Sequence, residues 1–262
     1  MIHVSMQEED RQTDPQPTID STSLTPIVIA PAGNPTEAVS RRMQAIEVCV
    51  FLLLIVPTGV LYFFVPHQGG PNLTLTLIGT ALADVGLGSL VVFFAWRNKE
   101  PLKLLGLTRR NFWREVGLGA GLFLPFVTGI GYLELGLQRL GFSLTQLSSI
   151  YSISANRWQP LLSKGLALIV IAVVEEVVFR GYLIRRLSGV FKSSIVALIL
   201  SSVIFAFGHS YEGWAGMITV GVDGLIFALV YLWRRSLVSP IVMHFLLDFL
   251  AIVLGPLGST PK

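Results

Sequence analysis

From residue 46 onward the chain is a series of long apolar runs separated by short polar or basic stretches. Runs able to span roughly 30 Å of hydrocarbon fall at about 46–65, 73–96, 116–140, 161–183, 195–207, 215–233 and 237–254. The fifth is short, and its helix is expected to reach a few residues beyond those bounds. Pro57 and Pro125 interrupt the first and third runs and predict kinks, because proline removes a backbone donor from the helix. The pattern predicts an all-α, polytopic membrane helix bundle. It has seven transmembrane helices, or eight if 143–160 re-enters the membrane.

The first forty residues break the pattern. They are acidic and rich in Thr, Pro and Ser, with a short apolar patch at Ile27-Val-Ile-Ala. They lack the basic start and apolar stretch of a signal peptide. The reading is a disordered cytoplasmic tail over 1–40 and a polytopic membrane domain over 41–262.

Basic residues alternate between the links. Arg41 and Arg42 precede the first run, and the next link has no Lys or Arg. Arg97, Lys99, Lys103, Arg109, Arg110 and Arg114 crowd the link between the second and third runs. Arg185, Arg186 and Lys192 follow the fourth, and Arg234 and Arg235 follow the sixth. The positive-inside bias makes these links cytoplasmic, with the N-terminus inside and the C-terminus outside. Arg139, Arg157 and Lys164 are the exceptions. Segment 101–114 mixes Leu, Phe and Trp with basic residues and reads as an interfacial amphipathic element.

Composition sharpens this picture. Charged residues make up 13% of the chain, about half the share of an ordinary soluble domain. The Lys and Arg residues sit beside apolar runs and form no separate basic domain, so membrane lipids are expected partners and nucleic acid is not. Cys49 is the single cysteine, which excludes an intramolecular disulfide and leaves a packing role. No internal repeat is evident, which counts against an inverted-repeat transporter.

The candidate chemistry lies in the last four runs. Glu175 and Glu176 stand side by side inside the fourth, where an ionised carboxylate costs on the order of 3 kcal/mol or more. Glu176 and Arg180, four apart, share a helix face and can pair, while Glu175 is rotated by about 100°. One acid is thereby neutralised and the other left for work as a general base. The bland alternative is a structural lock holding both acids. His209 closes Phe205-Ala-Phe-Gly-His209, with Phe205 a turn away on the same face. His244 opens His244-Phe-Leu-Leu-Asp248, where Asp248 can accept an imidazole N–H and fix the tautomer. These groups suit water activation. No Gly-x-Ser-x-Gly and no His-Glu-x-x-His element is present. Asp84, Glu134 and Asp223 also fall in apolar runs. For Asp223, beside Gly224, a structural hydrogen bond is the leading reading, and His67 reads as a surface turn residue.

Glu175-Glu176-Val-Val-Phe-Arg180, Phe205-Ala-Phe-Gly-His209 and His244-Phe-Leu-Leu-Asp248 resemble the three ordered motifs of the CAAX-protease and bacteriocin-processing family, over about 161–254. The resemblance implies an intramembrane glutamate-dependent protease with helices around a membrane-embedded cavity, and 161–254 as its catalytic core. Glu175 would activate water with help from His209. His244 and position 248 would stabilise the oxyanion or bind a metal, and Glu176 and Arg180 would support them. Position 248 is Asp where many relatives carry Asn. An ionised Asp cannot donate to an oxyanion, so its role is either as a protonated donor or as a guide for His244.

Spacing sets one conflict. At 1.5 Å per residue, Glu175 lies about 16 Å from Arg186 and His244 about 13 Å from Arg235, but His209 lies about 25 Å from Lys192. That places His209 nearer the outer face than its partners.

The functional expectation is an endopeptidase acting on a peptide or lipidated protein substrate, with no cofactor required. Zinc (Zn) held by His209, His244 and Glu175 is the runner-up mechanism. A non-catalytic self-immunity or scaffold protein and a proton-coupled transporter are the rival classes. The expected setting is the plasma membrane of a prokaryote. The substrate and the oligomeric state are left open by the sequence.

Overall fold

A computed structural model describes residues 39–64, 73–108, 111–143 and 159–254 of the protein. Residues 1–38 of the expected 1–40 tail, His67, Arg109, Arg110, Arg157 and the segment 144–158 lie outside the described residues.

The described residues form seven helices and two short 3-10 turns. Helix α1 spans Arg41–Phe64, α2 Leu73–Arg97 and α3 Phe112–Arg139. Helix α4 has three consecutive parts: an α-helix at Gln159–Glu175, a π-helix at Glu176–Leu183 and an α-helix at Ile184–Phe191. Helix α5 is Ser194–Gly208 and α6 is Gly213–Arg234. Helix α7 is α-helical over Val238–Asp248 and π-helical over Phe249–Leu254. Both expected proline sites fall inside helices that continue past them.

Helix α4 is the hub. Its first part packs on α2 and α7, its π part on α5, α6 and α2, and its last part on α1 and α5. Helix α3 packs chiefly on α7, and α5 on α6. Helices α2 and α4 run parallel. Leu77 clusters with Leu168 and Ile171, a Cβ on Gly88 would touch Val174, and Phe94 stacks on Tyr182.

Arg41–Leu61, Thr76–Arg97, Phe112–Arg139 and Ser210–Arg234 are long and apolar enough to cross a membrane. Ser194–Gly208 and Val238–Val253 are shorter apolar helices. The first three bury only 28%, 22% and 17% of their most apolar stretch, against 56% for the fourth. Helices α1 to α3 therefore turn bare apolar surface outward, as lipid-facing helices do, and α6 is central. The molecule is a helical membrane bundle. The fourth expected run falls in α4, whose Glu175, Glu176, Arg180 and Arg186 are buried in the protein.

The arginine-rich end is pinned by buried ion pairs. Glu47 on α1 is fully buried and accepts from Arg97 (2.9 Å), Asn98 (2.7 Å), Tyr182 (2.5 Å) and Arg186 (2.6 Å). Arg186 also reaches Glu100 at 2.5 Å, which ties α1, α2 and α4 together. A second lock joins α3, α6 and α7. Glu115 accepts from Arg234 at 2.6 Å and from Ser239 at 2.7 Å.

Segment 101–114 is amphipathic, with one departure from a surface element. Leu102, Leu107, Phe112 and Trp113 are exposed, but Leu105 is buried. The 3-10 turn Leu102–Leu105 tucks against the π part of α4, at a spot where a Cβ on Gly181 would lie 2.7 Å from the Leu105 carbonyl oxygen. Gly106, at φ +86°, turns the chain there and accepts from the Leu237 N–H.

Candidate active site

Three helices supply the predicted residues. Glu175, Glu176 and Arg180 come from α4, His209 from the end of α5, and His244 and Asp248 from α7. The π-helix begins at Glu176. Such segments widen a helix locally and concentrate at functional sites, and nothing in the sequence pattern announced this one. The Glu176–Arg180 pair survives the altered winding, at 2.9 Å with both side chains buried.

Glu176 is fully engaged on one oxygen. Its Oε1 accepts from Arg180 and, at 2.9 Å, from the Nδ1–H of His244. A carboxylate can only accept here, so the proton sits on Nδ1 and the working nitrogen of His244 is Nε2. That nitrogen lies 3.5 Å from Glu175 Oε2 and 3.6 Å from Asp248 Oδ2. Both distances exceed an ordinary hydrogen bond. The expectation that Asp248 fixes the His244 tautomer is therefore corrected. Glu176 does so from a different helix, and Asp248 shares the far side of the ring with Glu175.

Arg180 is clamped between charge and aromatic faces. Its guanidinium carbon lies 4.3 Å from the Phe205 ring centre, 5.4 Å from Phe227 and 6.0 Å from Phe179. Gly224 makes room for it, since a Cβ there would stand 3.1 Å from Arg180 Nη2. His244 stacks on Phe227 at 5.4 Å and meets the edge of Phe205 at 5.9 Å.

His209 is half-buried and caps α5. Its Nδ1–H donates to the Phe205 carbonyl at 3.0 Å, which leaves Nε2 clear of the backbone. Its ring lies 4.7 Å from that of Phe205. Phe205 therefore touches His209, His244 and Arg180 together, so the depth conflict read from residue spacing does not separate them. The shortness of α5 puts its last residue at the level of the site.

Six buried side-chain polar atoms have no hydrogen-bond partner among the described residues: Asp84 Oδ2, Glu175 Oε2, Glu176 Oε2, Arg180 Nη2, Thr219 Oγ1 and Asp223 Oδ1. Buried polar atoms are almost always paired in folded proteins. Here the exceptions gather on the α4 motif and on the helices that face it. Thr219 and Asp223 share the buried face of α6 next to Gly224, so Asp223 borders the site and its Oδ1 makes no structural hydrogen bond. Glu212, not singled out in the sequence, lies near enough for its charge to act on His209 and Glu175. It follows His209 by three residues, a proximity that only the intervening 3-10 turn reveals.

Among the described residues no group of three or more His, Cys, Asp and Glu side chains is arranged to hold a metal ion.

Residues 157–250 match the family model for Rce1-like type II CAAX prenyl endopeptidases. The segment that carries the six predicted residues is thus similar to the CAAX-protease family to which its motifs point. No curated protein and no solved structure matches the chain at significant similarity.

Proposed function

We propose that this protein, with the core of a family of proteases in its 157–250 segment, is an intramembrane endopeptidase using a glutamate-activated water. The observation that carries the reading is the division of labour between adjacent carboxylates. Glu176 is fixed through Oε1 by Arg180 and His244, and its Oε2 has no hydrogen-bond partner among the described residues. Glu175 Oε2, also buried and unpartnered, is the oxygen that lies 3.5 Å from His244 Nε2. A base must have a lone pair to offer, and Glu175 has it.

In the proposed reaction Glu175 takes one proton from water as the water oxygen bonds to the scissile carbonyl carbon. The carbonyl π electrons move onto oxygen. Collapse of that oxyanion breaks the C–N bond, and the proton held by Glu175 passes to the leaving nitrogen. An acid and an amine result. His244, tethered by Glu176, keeps its Nε2 beside Glu175 and fixes the direction of the base. His209 offers Nε2 to the water or the substrate carbonyl. An ionised Asp248 cannot donate to the oxyanion, so in this scheme it balances His244.

The test is cleavage of a panel of prenylated and unmodified C-terminal peptides by purified protein in liposomes. Wild type is compared with Glu175→Gln, with and without a chelator. The reading expects cleavage by wild type, loss in Glu175→Gln and indifference to the chelator. Unchanged cleavage by Glu175→Gln would overturn it.

A further inference from the structure

Asp84 lies on α2, outside the segment that matches the family, and none of the three motifs contains it. On α2 buried residues recur at Leu77, Asp84 and Val91, seven apart, with Ala81 and Gly88 between them, and Leu77, Ala81 and Gly88 lie against α4. That is the repeat of a helix–helix seam, in which apolar residues are expected at every such position. Asp84 occupies the middle one and is only 7% exposed. The parallel register sets it between the level of Leu77, which meets Leu168 and Ile171, and that of Gly88, which faces Val174. Gly88 lacks the Cβ that would hold α2 off α4, so the helices approach closely one residue before Glu175.

An acid in an apolar seam needs a partner, and Asp84 Oδ2 has none among the described residues. Neither has Glu175 Oε2. Glu175, His244 and Asp248 are near enough for their charges to act on Asp84. Two carboxyl groups close to one packed seam in a low-dielectric interior repel when both are ionised, and a proton on one of them turns that repulsion into a hydrogen bond.

We propose that Asp84 is a positioning residue for Glu175: its carboxyl donates an O–H···O bond across the α2–α4 seam and aims the base at the site. This rests on the protease reading above. The role requires a donor at position 84. Asn supplies one and Leu does not.

The experiment measures kcat and KM on a cleaved prenylated peptide, and thermal unfolding in detergent, for wild type, Asp84→Leu, Asp84→Asn and Glu175→Gln. Asp84→Leu completes the apolar seam, so its unfolding midpoint is expected to hold or rise. Its kcat is expected to fall by about 10²-fold, the cost of a misplaced catalytic group, with KM little changed. Asp84→Asn should retain most of the wild-type kcat. Wild-type kcat in Asp84→Leu overturns the inference, as does a kcat for Asp84→Asn as low as that of Asp84→Leu. A lowered midpoint in Asp84→Leu also overturns it, because Asp84 would then be a packing element. If Asp84→Leu cleaves normally while Glu175→Gln is dead, only this inference fails. If Glu175→Gln cleaves as wild type does, the protease reading fails and this one with it.

Discussion

The bundle buries two clusters of charge, and they are finished to different standards. At the arginine-rich end, Glu47 is fully buried and receives four donors from three side-chain types on α2, on α4 and in the link that follows α2. Around Glu175 and Glu176 the same kinds of groups leave lone pairs and an N–H unsatisfied. Both clusters pay desolvation, but only the first recovers it in hydrogen bonds. A folding lock gains from saturation. A reactive site must hold interactions in reserve for a species that arrives later.

That contrast can be broken by substitution. The largest effect is expected for Glu175→Gln, which should lower cleavage by about 10²–10⁴-fold, the usual contribution of a general base, and leave thermal unfolding nearly unchanged. Glu47→Ala should do the reverse. It leaves the Arg186 Nε–H and the Tyr182 O–H without their acceptor in the interior, while Glu100 still holds the far side of the guanidinium. Removing one partner of a buried pair costs about 3–5 kcal/mol, visible as a lowered unfolding midpoint or failure to accumulate in the membrane. Arg180→Met tests the border between the clusters. It uncouples Glu176, so both the unfolding midpoint and the cleavage rate should drop, and retention of either would remove Arg180 from that border.

The smallest effect concerns Glu100, in the link after α2. Burial alone would raise its pKa, but hydrogen bonds and charge from Arg186 and Arg185 outweigh burial and hold it below the ordinary carboxylate range. A depressed folded pKa contributes stability above the unfolded value, about 4.3 for Glu, and that contribution is lost as pH falls through the folded value. Unfolding midpoints measured from pH 6 downward should therefore fall in wild type, and by less in Glu100→Gln.

How much of this could be read from the chain depends on whether a contact lies along one helix or between two. The Glu176–Arg180 pair and the Phe205–His209 contact follow from residues four apart, and both are present. The apolar runs located the helices well, including the short α5. Contacts between helices carry no such signal. Glu176 and His244 are 68 residues apart, and spacing favoured Asp248 as the imidazole's partner instead. The π-helix changed the geometry of α4 without a proline or glycine pair to mark it. Asp84 was visible as an acid in an apolar run, but its meaning needs the register of α2 on α4. The tucked turn at Leu102–Leu105 was hidden for a similar reason: Gly181, which admits it, lies on another element.

The span of the Glu47–Arg186 contact has a consequence for biosynthesis. The two residues are 139 positions apart. At about 5–20 residues per second, the ribosome delivers Arg186 roughly 7–28 seconds after Glu47. Until Arg97 is made, 50 positions on, α1 carries an unpaired acid, and after that a half-finished lock. Glu47, less than two turns from the helix start, can wait near water rather than in the lipid interior. The lock closes only when the end of α4 has been made. Nascent chains halted before residue 186 should therefore hold α1 loosely, and the arrival of α4 sets the clock for assembly of the whole bundle.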